Sequence, residues 1–530
     1  MEKNEKSSFV KGAAILGVAG LICKIIGAFF RIPLYNMLGD GMQYYEAVYP
    51  FYATLITIST AGLPTAISRM VAEHVTLGDY DGAKRVFRKA QLLLLGFGIL
   101  TTALMFFFAD ALAMTTVGIG ASPSFRAMAP ALLIVSLLCS YRGYLQGMQR
   151  MTGTAVSQVV EQVGKLVIGL YLASKWMGRG LEYGALGAVV GVTASELIAL
   201  LVIVAFYLKN RHGLPEISVP CEQGDRHVIR DLMMIAIPVT IGGSIMSITG
   251  IVDASTIKRT LMDVGFSEAA ASMRYVCLRT NVQSIINMPA VLTVALAMSL
   301  VPAVSAARTN GDSETIRNAS NMGIKLSMFV GMPCTVGLIV LAGPCIDLLY
   351  DIDAERLSIA AALMRTSAVS VVFLSVTQTL TGILQGLGKQ NVPVINLAIG
   401  AAVKVVTMLV LMRNPAIEIQ GAAISNVACY LVSGVLDLIC LIRYTGLKVQ
   451  WLDAVIKPTL ASVVMGAAAF FGYVFLRSVV SSETIAAAGG ILAGGVVYLA
   501  IVLLSGMFKL SDFDSMTGRG NRILRKLFVR

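Results

Sequence analysis

Charge is scarce in this sequence. Only 14% of its 530 residues are Asp, Glu, Lys or Arg, while 56% are hydrophobic, and a soluble chain carries about 25% charged residues. Whole windows of about 20 residues, the length a helix needs to cross the hydrocarbon core, hold almost no charge. An ordinary soluble domain is excluded. Histidine is nearly absent: His74, His212 and His227 all fall near expected cytoplasmic ends, so no histidine proton relay is read. The eight cysteines, Cys23, Cys139, Cys277, Cys345 and Cys429 among them, lie mostly in apolar runs and form no Cys-x-x-Cys pair. They read as small buried hydrophobes, not as disulfides or metal ligands. No Ser/His/Asp, metal-ligand or phosphate-loop arrangement has suitable spacing, which argues against an enzyme. The apolar run from Gly12 to Phe30 contains Lys24, lacks a small-residue cleavage site and is long enough to span, so it does not read as a cleavable signal.

What the chain does have is an internal repeat. Gly143-Tyr144-Leu145-Gln146-Gly147 recurs 239 residues later as Gly382-Ile383-Leu384-Gln385-Gly386. Each copy closes a long apolar segment and precedes a basic turn, and the following apolar segments carry Lys165 and Lys404 at the same offset. A second pair accompanies it. Leu63-Pro64 with Ser68 resembles Val301-Pro302 with Ser305, and the two lead to Gly78-Asp79 and Gly311-Asp312. Two deeply apolar halves on one plan are a transporter signature.

Hydropathy yields about 14 spans, and the reading is an all-α polytopic membrane protein. Six spans separate the repeated motifs, an even number that returns the chain to the same side, so the halves are expected to be parallel six-helix repeats. The expected organisation is an N-terminal lobe over 1–208, a linker over 209–231, a second lobe over 232–443, two appended helices over 444–508 and a basic tail over 509–530. Most of the 42 lysines and arginines fall in the tails, the linker and the turns of one side, which the positive-inside rule makes cytoplasmic for both termini. The tail Arg519 to Lys526 is expected to rest on anionic lipid. No nucleic-acid partner is needed to explain the net charge of +12.

Ionisable residues inside the apolar spans carry the functional reading, because each costs roughly 2.5–3.5 kcal/mol at a helix centre and persists where it meets a cavity or a partner. Lys24 and Arg31 are seven apart and share nearly one helical face. Glu161 and Lys165 stand at i, i+4 and can pair. Asp253, Arg279 and Lys404 occupy later spans, with Lys404 opposite Lys165 by the repeat. The expected cavity therefore holds more positive than negative charge and favours an anionic substrate. Each residue also has a plainer role. Arg31 and Arg279 can snorkel to the interface, Glu161–Lys165 can be a self-satisfied pair, and Lys258 can neutralise Asp253. Arg142 reads as a headgroup anchor, and Asp351 to Glu355 as an exposed acidic loop without calcium-loop spacing. Prolines such as Pro64, Pro238, Pro289, Pro302, Pro333 and Pro393 mark backbone breaks that suit a moving machine.

These residues resemble a known family. Gly62 to Glu73 is similar to the second-span signature of the stage V sporulation protein B branch, and Pro289 to Ser305 to its eighth-span signature. The two Leu-Gln-Gly copies match the wider MOP superfamily of multidrug exporters, polysaccharide flippases and MurJ-type flippases. The resemblance implies a V-shaped transporter of two six-helix lobes plus two extra helices, in a bacterial cytoplasmic membrane. It implies export or flipping of an undecaprenyl-diphosphate-linked cell-wall precursor, lipid II or a related lipid-linked oligosaccharide. It also implies a diphosphate site of Lys24, Arg31 and Arg279, which Lys165 and Lys404 extend as the remaining cations of the cavity. An arginine found early in the second span of MurJ-type proteins has no counterpart in Tyr49 to Thr54. Asp253 is the acid expected to couple ion binding, with Glu161 as a charge-pair acid. The sodium-site pattern of the family continues to Asn396 and Thr407, with no acid in that span.

No metal or cofactor is expected, and the drive falls to a proton or sodium gradient or to the membrane potential. Expected partners are the lipid-linked oligosaccharide, membrane lipids and cell-wall synthesis enzymes, with the chain a monomer. Two other readings compete: a multidrug or cation antiporter on the same scaffold, and a non-transporting scaffold for cell-wall or spore-cortex synthesis.

Overall fold

The computed structural model describes residues 2–60, 62–211, 225–480 and 482–507. The middle of the linker, with His212, and the basic tail lie outside the described residues. Among the described residues every regular element is helical, as lipid requires of a chain that must satisfy its own backbone polar groups. Among the described residues ten helices are long and apolar enough to cross a membrane, or eleven if the bent pair Val228–Ile237 and Val239–Asp263 is one span. The continuous stretch Val18–Thr76, counted once among the ten, contains two of the expected spans. Those expected near Val163 and Thr293 fall on further helices, so this set is compatible with about 14. The protein is a multi-pass membrane protein.

The chain divides into two compact units, Met1–Lys258 and Arg259–Arg530. The first holds α1 (Glu2–Leu38), α2 (Met42–Thr60), α3 (Leu63–Thr76), α4 (Tyr80–Phe107) and the short α5 (Ala109–Met114). It continues with α6 (Ser122–Gly147), α7 (Met151–Gly164), α8 (Leu170–Met177) and α9 (Leu181–Arg211), then most of α10 (Asp225–Asp263). A π turn, Lys165–Gly169, joins α7 to α8. Leu63, Ile67 and Val71 of α3 pack with Val86 and Phe87 of α4, Leu145 of α6 and Ile203 of α9. Val228, Leu232 and Ala236 of α10 join the same core, and the backbone N–H of Gly62 donates to Thr240 Oγ1 at 3.2 Å. So the start of α10, which the repeat assigns to the second lobe from 232, packs on the first unit.

The second unit holds α11 (Glu268–Val276), a π turn at Cys277–Val282, α12 (Gln283–Thr309), α13 (Ser313–Val340) and α14 (Ala342–Asp347). There follow α15 (Ala354–Gly386), α16 (Asn391–Leu411) and α17 (Gln420–Thr445), then the unrepeated α18 (Lys457–Val479) and α19 (Glu483–Leu504). Met465 of α18 and Tyr498 of α19 pack on Met322 of α13. Buried Lys325 of α13 donates through Nζ to the carbonyl of Met507 at 3.0 Å, just past α19. The acidic loop ends as a helix cap: Asp353 accepts the N–H of Arg356 at 2.8 Å.

The repeat is written in the backbone as well as in the letters. After each Leu-Gln-Gly, the N–H of residue 150 or 389 donates back to the carbonyl of Leu145 or Leu384, at 2.8 and 2.9 Å. The turn residue is left-handed in both, Gln149 at φ 60° and Gly388 at φ 71°, a conformation that ends helices and costs a non-glycine residue strain. Asp79 and Asp312 cap α4 and α13 in the same way, accepting from Gly82 and Thr315. The glycines are contact points. A Cβ on Gly147 would lie 2.8 Å from Ser68 O, and one on Gly386 would lie 2.8 Å from Val301 O. This corrects one reading. Ser68 is equivalent to Val301, not to Ser305, so Pro64 at the start of α3 matches Ala297 rather than Pro302. The Leu-Pro likeness is coincidental, while the Gly-Asp turns and Leu-Gln-Gly motifs are true equivalents.

Candidate functional site

Arg31 on α1 finds its partner on α2. Its Nη1 lies 3.2 Å from Oε1 of Glu46, a carboxylate with no exposed surface, while Arg31 itself is 19% exposed. A carboxylate buried without a cation is strongly disfavoured, so this pairing follows from Glu46 being inside. The guanidinium also sits 5.3 Å from the ring centroid of Tyr49, a cation–π distance.

Tyr49 begins a ladder along α2. It stacks on Tyr45 at 5.7 Å and lies 6.1 Å from Tyr52, and the Tyr52 hydroxyl donates to Glu196 Oε1 on α9 at 3.3 Å. Lys165 Nζ stands between two acids, 2.7 Å from Glu161 and 2.9 Å from Glu196. Glu161 accepts in turn from Arg142 Nη2 at 3.0 Å, and the Nε of Arg142 donates to Ser157 Oγ at 3.0 Å. The expected Glu161–Lys165 pair therefore exists, at the head of the π turn between α7 and α8. Such bulges often mark functional positions in a helix.

Two expectations change here. Arg142 does not act as a headgroup anchor but holds Glu161. The positive surplus read from the sequence is also absent from this network: Arg31, Arg142 and Lys165 face Glu46, Glu161 and Glu196. Lys24, seven residues before Arg31 on α1, is exposed and makes no ion pair among the described residues. Asp253 is buried on α10 and 4% exposed.

In the second unit Lys404 is buried on α16, and Arg279 is half-buried on the π turn that precedes α12. Asn396 Nδ2 on α16 donates to Asp437 Oδ1 on α17 at 2.8 Å, and Thr381 Oγ1 of α15 lies 3.5 Å from Oδ2. By the 239-residue offset Thr381, Asn396 and Lys404 stand where Arg142, Ser157 and Lys165 stand in the first unit. The same three positions are polar in both halves, and only Arg142 against Thr381 differs in charge.

Residues 9–308 match the sequence profile of the family described as "Polysaccharide biosynthesis protein". The chain belongs to that family. Residues 280–410 also match the MatE profile. The chain is 26% identical to stage V sporulation protein B of Bacillus subtilis (strain 168) over 526 residues, covering 98% of this chain and all of that protein. It is 24% identical to the lipid II flippase MurJ of the same organism, covering 87% of each chain. In structure it resembles a lipid II flippase MurJ in an inward closed conformation, with a TM-score of 0.67 at 16% identity over 93% of this chain and 98% of that one. It also resembles an inward-facing multidrug resistance MATE transporter, with a TM-score of 0.66 at 17% identity over 81% of this chain and 98% of that one. At those identities the structural likenesses speak for the fold.

For a polysaccharide biosynthesis family member, then, the sequence reading missed three acids, Glu46, Glu196 and Asp437. Each stood in plain view within an apolar run: Tyr45-Glu46-Ala47, Ser195-Glu196-Leu197 and Leu436-Asp437-Leu438. The rule that picked out Lys165 and Lys404 would have picked them too. Asn396, whose own span has no acid, meets one from the next helix in Asp437.

Proposed function

We propose that this protein moves a lipid-linked cell-wall precursor, an undecaprenyl-diphosphate-linked saccharide such as lipid II, across the membrane by alternating access. The observation that carries the reading is the chain of carboxylate-paired, partly buried cations in the first unit, Arg31 with Glu46 and Lys165 with Glu161 and Glu196. Full-length similarity to stage V sporulation protein B and to a lipid II flippase supports it.

The chemistry is anion exchange at fixed cations. A guanidinium held by packing and by a tyrosine face offers a planar fork that fits phosphate oxygens as it fits a carboxylate. In a site shielded from water such contacts are stronger than in bulk. When the diphosphate takes Arg31, Glu46 loses its partner, and that cost favours the return of the pair once the headgroup has left. Tight binding and release are thereby balanced. The isoprenoid tail stays in lipid, since hydrocarbon is no less apolar than a protein interior. The inside-negative potential assists export of negative charge at about 2.3 kcal/mol per charge per 100 mV. Both termini lie in the cytoplasm in this reading, and ion coupling is assigned to Asp253.

The test is complementation of a conditional lipid II flippase mutant, scored by exposure of lipid II on the outer leaflet. Restored exposure that is lost again with Arg31→Ala, in protein that inserts normally, is the expected result. No exposure from well-inserted wild-type protein would overturn lipid II as the cargo. Resistance to cationic dyes on overexpression would favour the antiporter.

A further inference from the structure

A recess of about 360 Å³ opens between α4, α6 and α9, entirely within the first unit. Its walls carry Lys84, Arg88 and Arg150, with Tyr141, Tyr144 and Tyr207. Phe87 forms the floor, its ring centroid 5.3, 4.7 and 5.4 Å from those of the three tyrosines. Gln91 Nε2 donates to the Tyr141 hydroxyl at 3.2 Å and fixes that ring. Tyr141 and Tyr144 flank Arg142 on α6, but Arg142 turns to Ser157 and Glu161 on α7. The recess and the charge network are thus separate sites on two faces of one helix end. The recess lies on the side where the basic turns gather.

The second repeat shows what packing alone would put here. Arg317 and Asn321 follow Lys84 and Arg88 by 233 residues, the offset of the Asp79 and Asp312 caps. They donate to the carbonyls of Thr445 and Lys448 at 3.0 and 3.2 Å, and the N–H of Gln450 donates to Asn321 Oδ1 at 3.3 Å. Leu447 fills the centre, in one core with Leu380 and Ile383, which hold the positions of Tyr141 and Tyr144. There the chain closes its own cleft with apolar side chains on an apolar wall. In the first unit that wall bears the phenols of Tyr141 and Tyr144, with Tyr207 of α9 beside them, and the rim bears three cations, of which Lys84 also pairs with Asp81 at 3.2 Å. An aliphatic plug would leave those groups desolvated against hydrocarbon, whereas an anion with hydroxyl or planar surface answers both.

We propose that this recess binds a phosphate-bearing headgroup, separately from the transported substrate. The cations take the phosphate oxygens, the tyrosine hydroxyls donate to the phosphate or its alcohol, and the rings seat the remainder. The volume suits a small polar ligand. The phosphate comes either from an anionic phospholipid of the same leaflet or from a soluble phosphate compound, and a basic pocket among helix ends on the cytoplasmic side suits the former. The binding weakens as salt is added, because rim charges are screened.

The experiment uses the full chain in neutral detergent and reads thermal unfolding during titration with phosphatidylglycerol, phosphatidylcholine or inorganic pyrophosphate. Phosphatidylglycerol is expected to raise the midpoint saturably, and phosphatidylcholine to leave it unchanged. A response to pyrophosphate alone would assign the site to a soluble phosphate. The variant Lys84→Gln/Arg88→Gln/Arg150→Gln is expected to unfold at the wild-type midpoint without ligand and to bind roughly 100-fold more weakly. Tyr144→Phe, which keeps the ring on Phe87, is the second variant and should weaken binding without changing the unliganded midpoint. Equal responses in wild type and both variants, or no response of wild type to any ligand, would overturn the proposal.

Discussion

Arg31 and Glu46 lie 3.2 Å apart, and the carboxylate of the pair is wholly buried. A single substitution of Arg31 therefore cannot separate the neutralising of Glu46 from the proposed contact with the cargo. The double variant Arg31→Ala/Glu46→Gln separates them. If Arg31 binds diphosphate, the double variant inserts normally yet restores no outer-leaflet lipid II, as with Arg31→Ala alone. Recovered flipping would reduce Arg31 to a counter-ion.

Glu161 lies within 3.0 Å of both Arg142 and Lys165. Glu161→Gln takes the carboxylate from Arg142 and leaves Lys165 with Glu196 alone, and removing one partner of a largely buried pairing costs about 3–5 kcal/mol. Unfolding in detergent should show that loss, and adding Arg142→Gln should recover part of it. Equal midpoints for wild type and Glu161→Gln would mean that water screens the network.

Gly147 and Gly386 are contact points in equivalent places. Either one changed to alanine should destabilise the chain by about 1–3 kcal/mol through overpacking, since a Cβ would meet a backbone oxygen at 2.8 Å in both. Gly96→Ala, at an open position on α4, should be neutral or slightly stabilising by helix propensity. Thermal melts of the three variants check the ordering.

Burial alone would raise the pKa of Asp79, but the Gly82 N–H, His74 and nearby Arg85 outweigh it and hold the carboxyl below its ordinary 3.8. A depressed acid stabilises the fold fully above its unfolded value, and that contribution fades as pH falls from about 3.8 through the lower folded value. Wild type should thus lose its stability advantage over Asp79→Asn in that window. A gap that does not change with acidification would contradict this cause.

The repeat was legible because Leu-Gln-Gly and Gly-Asp are places where backbone geometry restricts the residue. The glycines must admit a neighbouring helix and the aspartates must cap one. Leu63-Pro64 misled because proline at a helix start and Pro302 inside α12 share letters but not backbone roles. Lys165, Lys404 and Glu161 could be read because a charge in an apolar run stands out. Which acid meets which cation across helices could not, since Glu196 meets Lys165 from α9 and Glu46 meets Arg31 from α2, and no spacing rule connects separate helices. Counting cations more attentively than acids turned a balanced network into an expected surplus.

The order of the buried charges along the chain bears on how the protein enters the bilayer. Glu161 and Lys165 emerge on adjacent turns of one segment, Arg142 precedes Glu161 by 19 residues in the same hairpin, and Arg31 and Glu46 flank the first reversal of direction. These five ions thus reach the translocon close to an opposite charge, so their hairpins can be released to lipid as nearly neutral units. Glu196 comes last, after its lysine is already in place. Biogenesis would then proceed pair by pair, and a substitution that orphans one ion should slow release of its hairpin before it affects the finished fold.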